Sequence, residues 1–263
     1  MSRYYSVFKI NFKNMLAYRW GFLLDVTLSM VTELVYIFVW IAVYAFSNIS
    51  ALHGITLTSM IVYFFVVGSI SFMDWPAMAE VVEEDLRGGG IAKYLIRPVR
   101  YIYAAFVSVI PETLIYILFG SVPVLILVYI LASLHTGAVT IIAFAFEVVL
   151  AFLVINLIGI ILGSLSIYIT DIFGITQGIY ALFMLIGGGA IPISLFPSSI
   201  YKIIMLTPFP YLYFVPAATF TGMLLPSELP RILAVGIAWV AILALLSGLS
   251  WKKASRDINS VGV

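Results

Sequence analysis

The 263-residue chain contains no cysteine, which excludes a disulfide framework and any thiolate metal site. Histidine is almost as scarce. His53 and His135 both fall in polar breaks between apolar runs, and no Gly-x-Ser-x-Gly nucleophile elbow accompanies them, so an intramembrane hydrolase lacks its chemistry. None of the six lysines follows a glycine, which removes the phosphate-cradling P-loop and with it ATP hydrolysis by this chain. Charge is sparse: Asp, Glu, Lys and Arg make up 10% of the residues against 63% apolar, and the mean hydropathy is +1.17. A soluble domain is about a quarter charged and about half apolar, so this is an integral membrane protein. The net charge of +1 gives no basic surface for nucleic acid.

What is present is a series of long apolar runs, and these predict an all-α integral membrane protein of six transmembrane helices, each roughly 20 to 25 residues long. The first span is expected from Gly21 to Phe46. No acidic or basic residue occurs from Leu34 to Met73 apart from the usually neutral His53, and a polar dip over 47–54 divides that run, placing a second span at Ile55–Trp75. A third follows at Tyr103–Ala132, a fourth from Val139 to about Tyr168, a fifth entered by a tight turn over Thr170–Gly174 and ending around the glycines at 187–189, and a sixth at Ile232–Trp251. In the fourth, Gly159 and Gly163 have the four-residue spacing that lets a neighbouring helix approach closely.

Ahead of the first span, Tyr4, Tyr5, Phe8, Phe12, Met15 and Leu16 share one arc of a helix, while Ser6, Lys9 and Lys13 fall outside it. Residues 1–20 therefore suit an interfacial helix lying on membrane lipid. Val7 and Ile10 spoil its polar face, which leaves a plain lead into the first span as the alternative. Met1-Ser2-Arg3 opens no apolar signal core, so the N-terminus is expected to be retained.

Between Asp74 and Arg100 lie nine of the 25 charged residues. Basic residues fall into alternate connections: Arg3 to Arg19 before the first span, Arg87, Lys93, Arg97 and Arg100 in the island, and Lys252, Lys253 and Arg256 after the last. Eleven of 13 are thus on one side, which the positive-inside rule makes the cytoplasm, with both termini cytosolic. The island, 76–102, reads as a cytosolic coupling region. Its acids Glu80, Glu83, Glu84 and Asp85 are ill-suited to an anionic membrane and favour a docking surface; the alternative is that its basic residues only hold the loop inside and touch headgroups.

The segment 190–230 holds seven of the 11 prolines yet is too apolar for an ordinary loop. Two half-helices, roughly Ser198–Leu206 and Leu212–Met223, fit between the prolines, the second kinked or broken at Pro216. They are expected either to dip into the membrane as a re-entrant external region or to lie flat as an external cap. Four acids, Asp25, Glu33, Glu112 and Glu147, fall within or at the ends of spans. Intramembrane carboxylates are functional candidates by default, and Glu33 and Glu147, the most central, would be the relay of an ion-coupled secondary transporter.

The run Leu86-Arg87-Gly88-Gly89-Gly90-Ile91-Ala92-Lys93-Tyr94-Leu95-Ile96-Arg97-Pro98-Val99 resembles the cytoplasmic stretch after the second span in membrane subunits of type-2 ABC exporters. Ile191-Pro192-Ile193-Ser194-Leu195-Phe196-Pro197, followed by Thr207-Pro208-Phe209 and Pro216-Ala217-Ala218-Thr219-Phe220-Thr221-Gly222, is similar to that family's external re-entrant region. The triple glycine departs from the family, where a polar residue more often stands among the glycines, and it leaves the local helix boundary open. The resemblance covers nearly the whole chain in order. It implies one permease domain, 1–263, in the cytoplasmic (inner) membrane, exporting a substrate that the sequence does not identify. It also implies a separate ATP-binding subunit carrying ATP and magnesium, with no cofactor or metal on this chain, and a second permease subunit, identical or related. Arg87, Gly89, Ile91, Lys93, Tyr94, Leu95 and Arg97 would dock the ATPase subunit. Gly189, Pro192, Phe196, Pro197 and Pro208 would form the external gate, with Gly187 to Gly189 and Pro192 either its hinge or only a helix end.

Overall fold

The computed structural model describes residues 2–17, 19–71, 73, 75–91, 100–132, 137–169 and 172–261. An N-terminal helix, α1 (Ser2–Ala17), is followed by α2 (Arg19–Ser47), a two-strand ladder, α3 (Leu57–Ser71) and α4 (Trp75–Arg87). Then come α5 (Tyr101–Ile115), a π-helical segment (Tyr116–Ser121), α6 (Val122–Leu131), α7 (Ala138–Leu165) and α8 (Phe173–Ile186). Two short helices, α9 (Ser198–Ile204) and α10 (Phe214–Phe220), precede the last helix, α11 (Leu229–Val261).

Among the described residues four helices are long and apolar enough to cross a membrane: Trp20–Ser47, Tyr101–Ile130, Ala138–Leu165 and Leu229–Asp257. They match the first, third, fourth and sixth expected spans. At the second and fifth positions stand α3 and α8, of 15 and 14 residues; at 1.5 Å per residue each is about 22 Å long, less than the roughly 30 Å of a hydrocarbon core. The third span runs through Pro111 and the π segment without a break in its helical course. A proline lacks the N–H that an internal helical position donates, and π turns re-route the bonds around such places.

The small sheet was not anticipated. Ala51–Leu52 pairs antiparallel with Ile55–Thr56 across a two-residue turn at His53–Gly54, so the chain closes as a hairpin at the polar dip. Tyr44 Oη donates to the Ile55 carbonyl at 2.7 Å and ties the hairpin to the end of α2.

The burial pattern explains the arrangement. In α2, Glu33, Ile37 and Tyr44 form one buried helical stripe facing α3, while Leu24, Leu28 and Phe38 on other faces stay exposed as lipid-facing side chains. In α3, Met60, Tyr63, Phe64, Val66 and Val67 are wholly buried, so this short helix sits inside the molecule. Helix α7 packs against α4, α10 and α11, and is apolar on nearly every side as a central helix must be.

The proline-rich segment lies at the heart of the core. Tyr211, Leu212, Phe214, Val215, Ala217 and Ala218 are each exposed by 1% or less. Helix α10 is shorter than the expected Leu212–Met223 and runs unbroken through Pro216, which falls in its first turn, where backbone N–H groups have no intrahelical acceptor in any case. Helix α9 leaves Ser198, Ser199, Lys202 and Ile203 exposed.

Candidate functional site

Two clusters carry the residues singled out by the sequence, one at each end of α7. At its C-terminal end α4 lies across it. Met78, Ala79 and Val82 of α4 are fully buried, and they meet α7 where it has no side chains: a Cβ on Gly159 would stand 2.8 Å from Met78 Cβ, and one on Gly163 would stand 2.6 Å from Val82 Cβ and 2.7 Å from the Ala79 carbonyl oxygen. All three distances are inside van der Waals contact, so the glycine pair sets how closely the helices approach. The expected neighbour of that pair is therefore the amphipathic helix of the charged island.

Arg87 ends α4. Its guanidinium donates to the Ser166 carbonyl from Nε at 3.2 Å and from Nη2 at 3.0 Å, and also to the Ile169 carbonyl; Nη1 lies 3.3 Å from Glu83 Oε1. The forked side chain thus ties α4 to the carbonyls of the C-cap residue of α7 and of the chain just beyond it. Beyond it the chain turns sharply: Gly88 N–H donates to the Glu84 carbonyl and Ile91 N–H to that of Asp85, and Ile91 is buried in the same apolar cluster as Leu86, Tyr101 and Ile160. Gly89 lies in this turn. Lys93, Tyr94, Leu95 and Arg97 lie outside the described residues. The end of α11 joins the cluster: Trp251 stacks on Tyr101 with centroids 3.9 Å apart, Tyr168 Oη donates to Asp257, and Lys253 Nζ lies 5.4 Å from the Tyr168 ring centre.

At the other end of α7 the 187–220 segment is moored to α3 and α11 by side-chain hydrogen bonds. Tyr63 of α3 donates to the Gly188 carbonyl at 2.6 Å and Tyr211 to that of Ile232 in α11 at 2.7 Å. Trp239 Nε1–H donates to the Leu206 carbonyl at 2.8 Å. Gly188 has φ +88°, and a Cβ there would stand 2.7 Å from Phe214 Cβ and 2.8 Å from Tyr63 Oη. Ala190 N–H closes back on the Met184 carbonyl, and Phe214 N–H bonds the Gly187 carbonyl. The glycines therefore end α8 and are packed on by the turn that follows. Gly189, Pro192 and Pro208 are buried, Phe196 is half-buried, and Pro197 stands exposed just before α9.

The two central acids have separate surroundings. Glu33 folds over α3 at Gly68, where a Cβ would meet Glu33 Cγ at 2.3 Å, and its Oε2 has no hydrogen-bond partner. Glu147 is completely buried; its Oε1 accepts a 2.9 Å bond from Thr219 Oγ1 of α10, and its Oε2 has no partner. Nearby, Phe144 packs on Phe220 with ring centres 5.0 Å apart. Of the other two acids, Asp25 accepts from Tyr116 Oη at 2.9 Å and Glu112 lines a small cavity with Thr113 and Asn156. Among the described residues no group of three or more His, Asp or Glu side chains could hold a metal ion.

Sequence reasoning did not single out Tyr63, Gly68, Ser166, Tyr211 or Thr219. Thr219 stood inside a motif noticed for its prolines and glycine, but nothing local marks it as the partner of an acid 72 residues earlier.

Long apolar helices that bury a carboxylate, a glycine seat for an amphipathic helix at one end and a proline-rich unit inside the core are the marks of a multi-pass membrane protein. A family model described as ABC-2 family transporter protein matches residues 30–262. The chain belongs to that family, and is thus a permease subunit of an ABC transporter. No curated protein matches it.

Proposed function

We propose that this permease exports its substrate across the cytoplasmic membrane, driven by a separate ATP-binding subunit that carries the ATP and magnesium and docks on the segment following α4. The observation that carries this reading is the seat of α4 on α7. Helix α4 is held by the glycine pair and by the fork of Arg87, immediately ahead of residues 92–99. A force applied there is delivered to a membrane-spanning helix rather than dissipated in a loop. In this reading Gly89 and Ile91 shape the docking turn, Lys93 and Arg97 meet acidic groups of the partner, and Tyr94 and Leu95 fill its cleft.

In the same reading α3 and α8 complete six spans, with both termini and the island cytosolic and α1 on the membrane surface. The 190–230 segment is the external re-entrant region. Its support is depth: Glu147, the partner of Thr219, is nine residues into α7, about 14 Å along the helix at 1.5 Å per residue. Non-helical backbone is tolerated there because protein surrounds it. A second permease, a copy or a relative, stands alongside, with the substrate path between the two.

The test is co-purification in mild detergent of the tagged chain and of a variant with Lys93, Tyr94 and Leu95 all changed to alanine. An ATP-binding subunit is expected with the wild-type chain and absent from the variant. A folded, abundant wild-type chain that brings down no ATPase would overturn the reading.

A further inference from the structure

Helix α7 meets both clusters. Near its C-terminal end Gly159 and Gly163 receive α4, and the carbonyls of Ser166 and Ile169, just past that end, receive Arg87. Sixteen residues before Gly163, about 24 Å back along the helix, Glu147 receives Thr219 of α10. No proline or π turn interrupts the helix between those points, so a shift or tilt at one end is carried to the other.

The contact at Glu147 is unusual in its chemistry. A buried carboxyl is a costly group for a transmembrane helix, and packing alone would be served by leucine. Glu147 has no exposed surface, and among the described residues the Thr219 hydroxyl is its hydrogen-bond partner. Thr219 in turn belongs to a helix of seven residues, too short to be stable alone and held in place by what surrounds it. Most of the other moorings of this unit go to different helices: Tyr63 reaches it from α3, and Tyr211 and Trp239 join it to α11. Glu147 supplies a directional polar bond between the unit and the helix that carries α4, where Phe144 on Phe220 is an apolar contact beside it.

We propose that Glu147 is a positioning residue of the transport cycle: by holding Thr219 it fixes the short-helix unit to α7, so that a displacement of α4 at the other end of α7 is delivered to that unit. This rests on the transporter reading above, in which α4 is where the ATP-binding subunit acts. It assigns the carboxyl a mechanical role that needs no ion to pass through it.

The test uses the absence of cysteine. Ser199, exposed on α9, is changed to cysteine as the single thiol of this chain. The complex with its ATP-binding subunit is reconstituted in nanodiscs, and labelling of this chain by a charged maleimide is timed without nucleotide and with ATP plus vanadate. The two rates are expected to differ by about fivefold or more, the lower end of ordinary coupling between sites. Added to that background, Thr219→Val and Glu147→Ala should bring the ratio close to one while the complex still assembles and hydrolyses ATP. Glu147→Gln, whose amide oxygen still accepts from Thr219, should keep it. Thr219→Val is nearly isosteric, so it tests the bond even where Glu147→Ala does not fold. An unchanged ratio in Thr219→Val overturns the proposal. So does a parent complex that hydrolyses ATP while Ser199→Cys labels at one rate throughout; the transporter reading then stands. If no ATP-binding subunit accompanies the parent chain, the transporter reading fails and the proposal falls with it.

Discussion

Gly163 stands where α4 and α7 touch, and any side chain there has nowhere to go. Its Cβ would lie 2.6 Å from Val82 Cβ and 2.7 Å from a backbone carbonyl oxygen, and backbone yields less readily than a flexible side chain. Gly163→Leu is expected to cost at least the 1–3 kcal/mol typical of overpacking a filled core. It should be seen as a lower melting temperature of the detergent-solubilised protein, with Gly178→Leu, at an open position, as the near-neutral control. Tyr63→Phe removes the donor to the Gly188 carbonyl, which is buried with it. An unsatisfied buried carbonyl costs about 1–3 kcal/mol, and the same melting measurement checks it. The glycine pair could be read from the sequence because four-residue spacing on a helix is local; Tyr63 could not, since its acceptor is 125 residues away.

Among the elements, α10 shows how small offsets change a reading. Prolines every few residues promised short helices over 190–230, and two formed. The second does not break at Pro216, because α10 begins at Phe214 and leaves that proline in its first turn. Pro216→Ala should therefore shift stability by no more than about 1 kcal/mol, chiefly through the unfolded chain, whereas Ala218→Pro, one turn beyond the helix start at Phe214, should cost about 3 kcal/mol or more. Comparing the two in thermal unfolding distinguishes a capped proline from a kinking one. The hairpin at 51–56 was missed for a related reason. Strands of two residues carry no period-2 signal, and their pairing is stabilised by Tyr44 on a different element.

For the molecule as a whole, the distribution of basic residues predicts a topology. Arg87, Lys252, Lys253 and Arg256 belong to one end of the bundle, where α4, α5, α7 and α11 meet; Lys202 lies on α9 in the unit at the other. In intact cells a charged thiol reagent should label Ser199→Cys at once and Arg256→Cys only after the membrane is permeabilised. The reverse pattern would invert the proposed orientation and move the docking segment out of reach of ATP.

Much of this architecture is written in local properties. Scarce charge and long apolar runs set the solvent as lipid and the elements as helices, because a backbone in hydrocarbon must satisfy its own hydrogen bonds. Glycine spacing and proline density marked a close contact and a broken segment. What the sequence left open is which surfaces meet: that the glycine pair receives the amphipathic α4, that Arg87 covers the carbonyls ending α7, that the proline-rich unit is buried more deeply than most of the long helices, and that Glu147 finds Thr219 while Glu33 finds the bare face of Gly68. Each of these joins residues far apart in the chain, and the side chains at either end fit many partners equally well. Their pairing is decided by how helices of given length and shape fill space together, which exists only once the chain has packed.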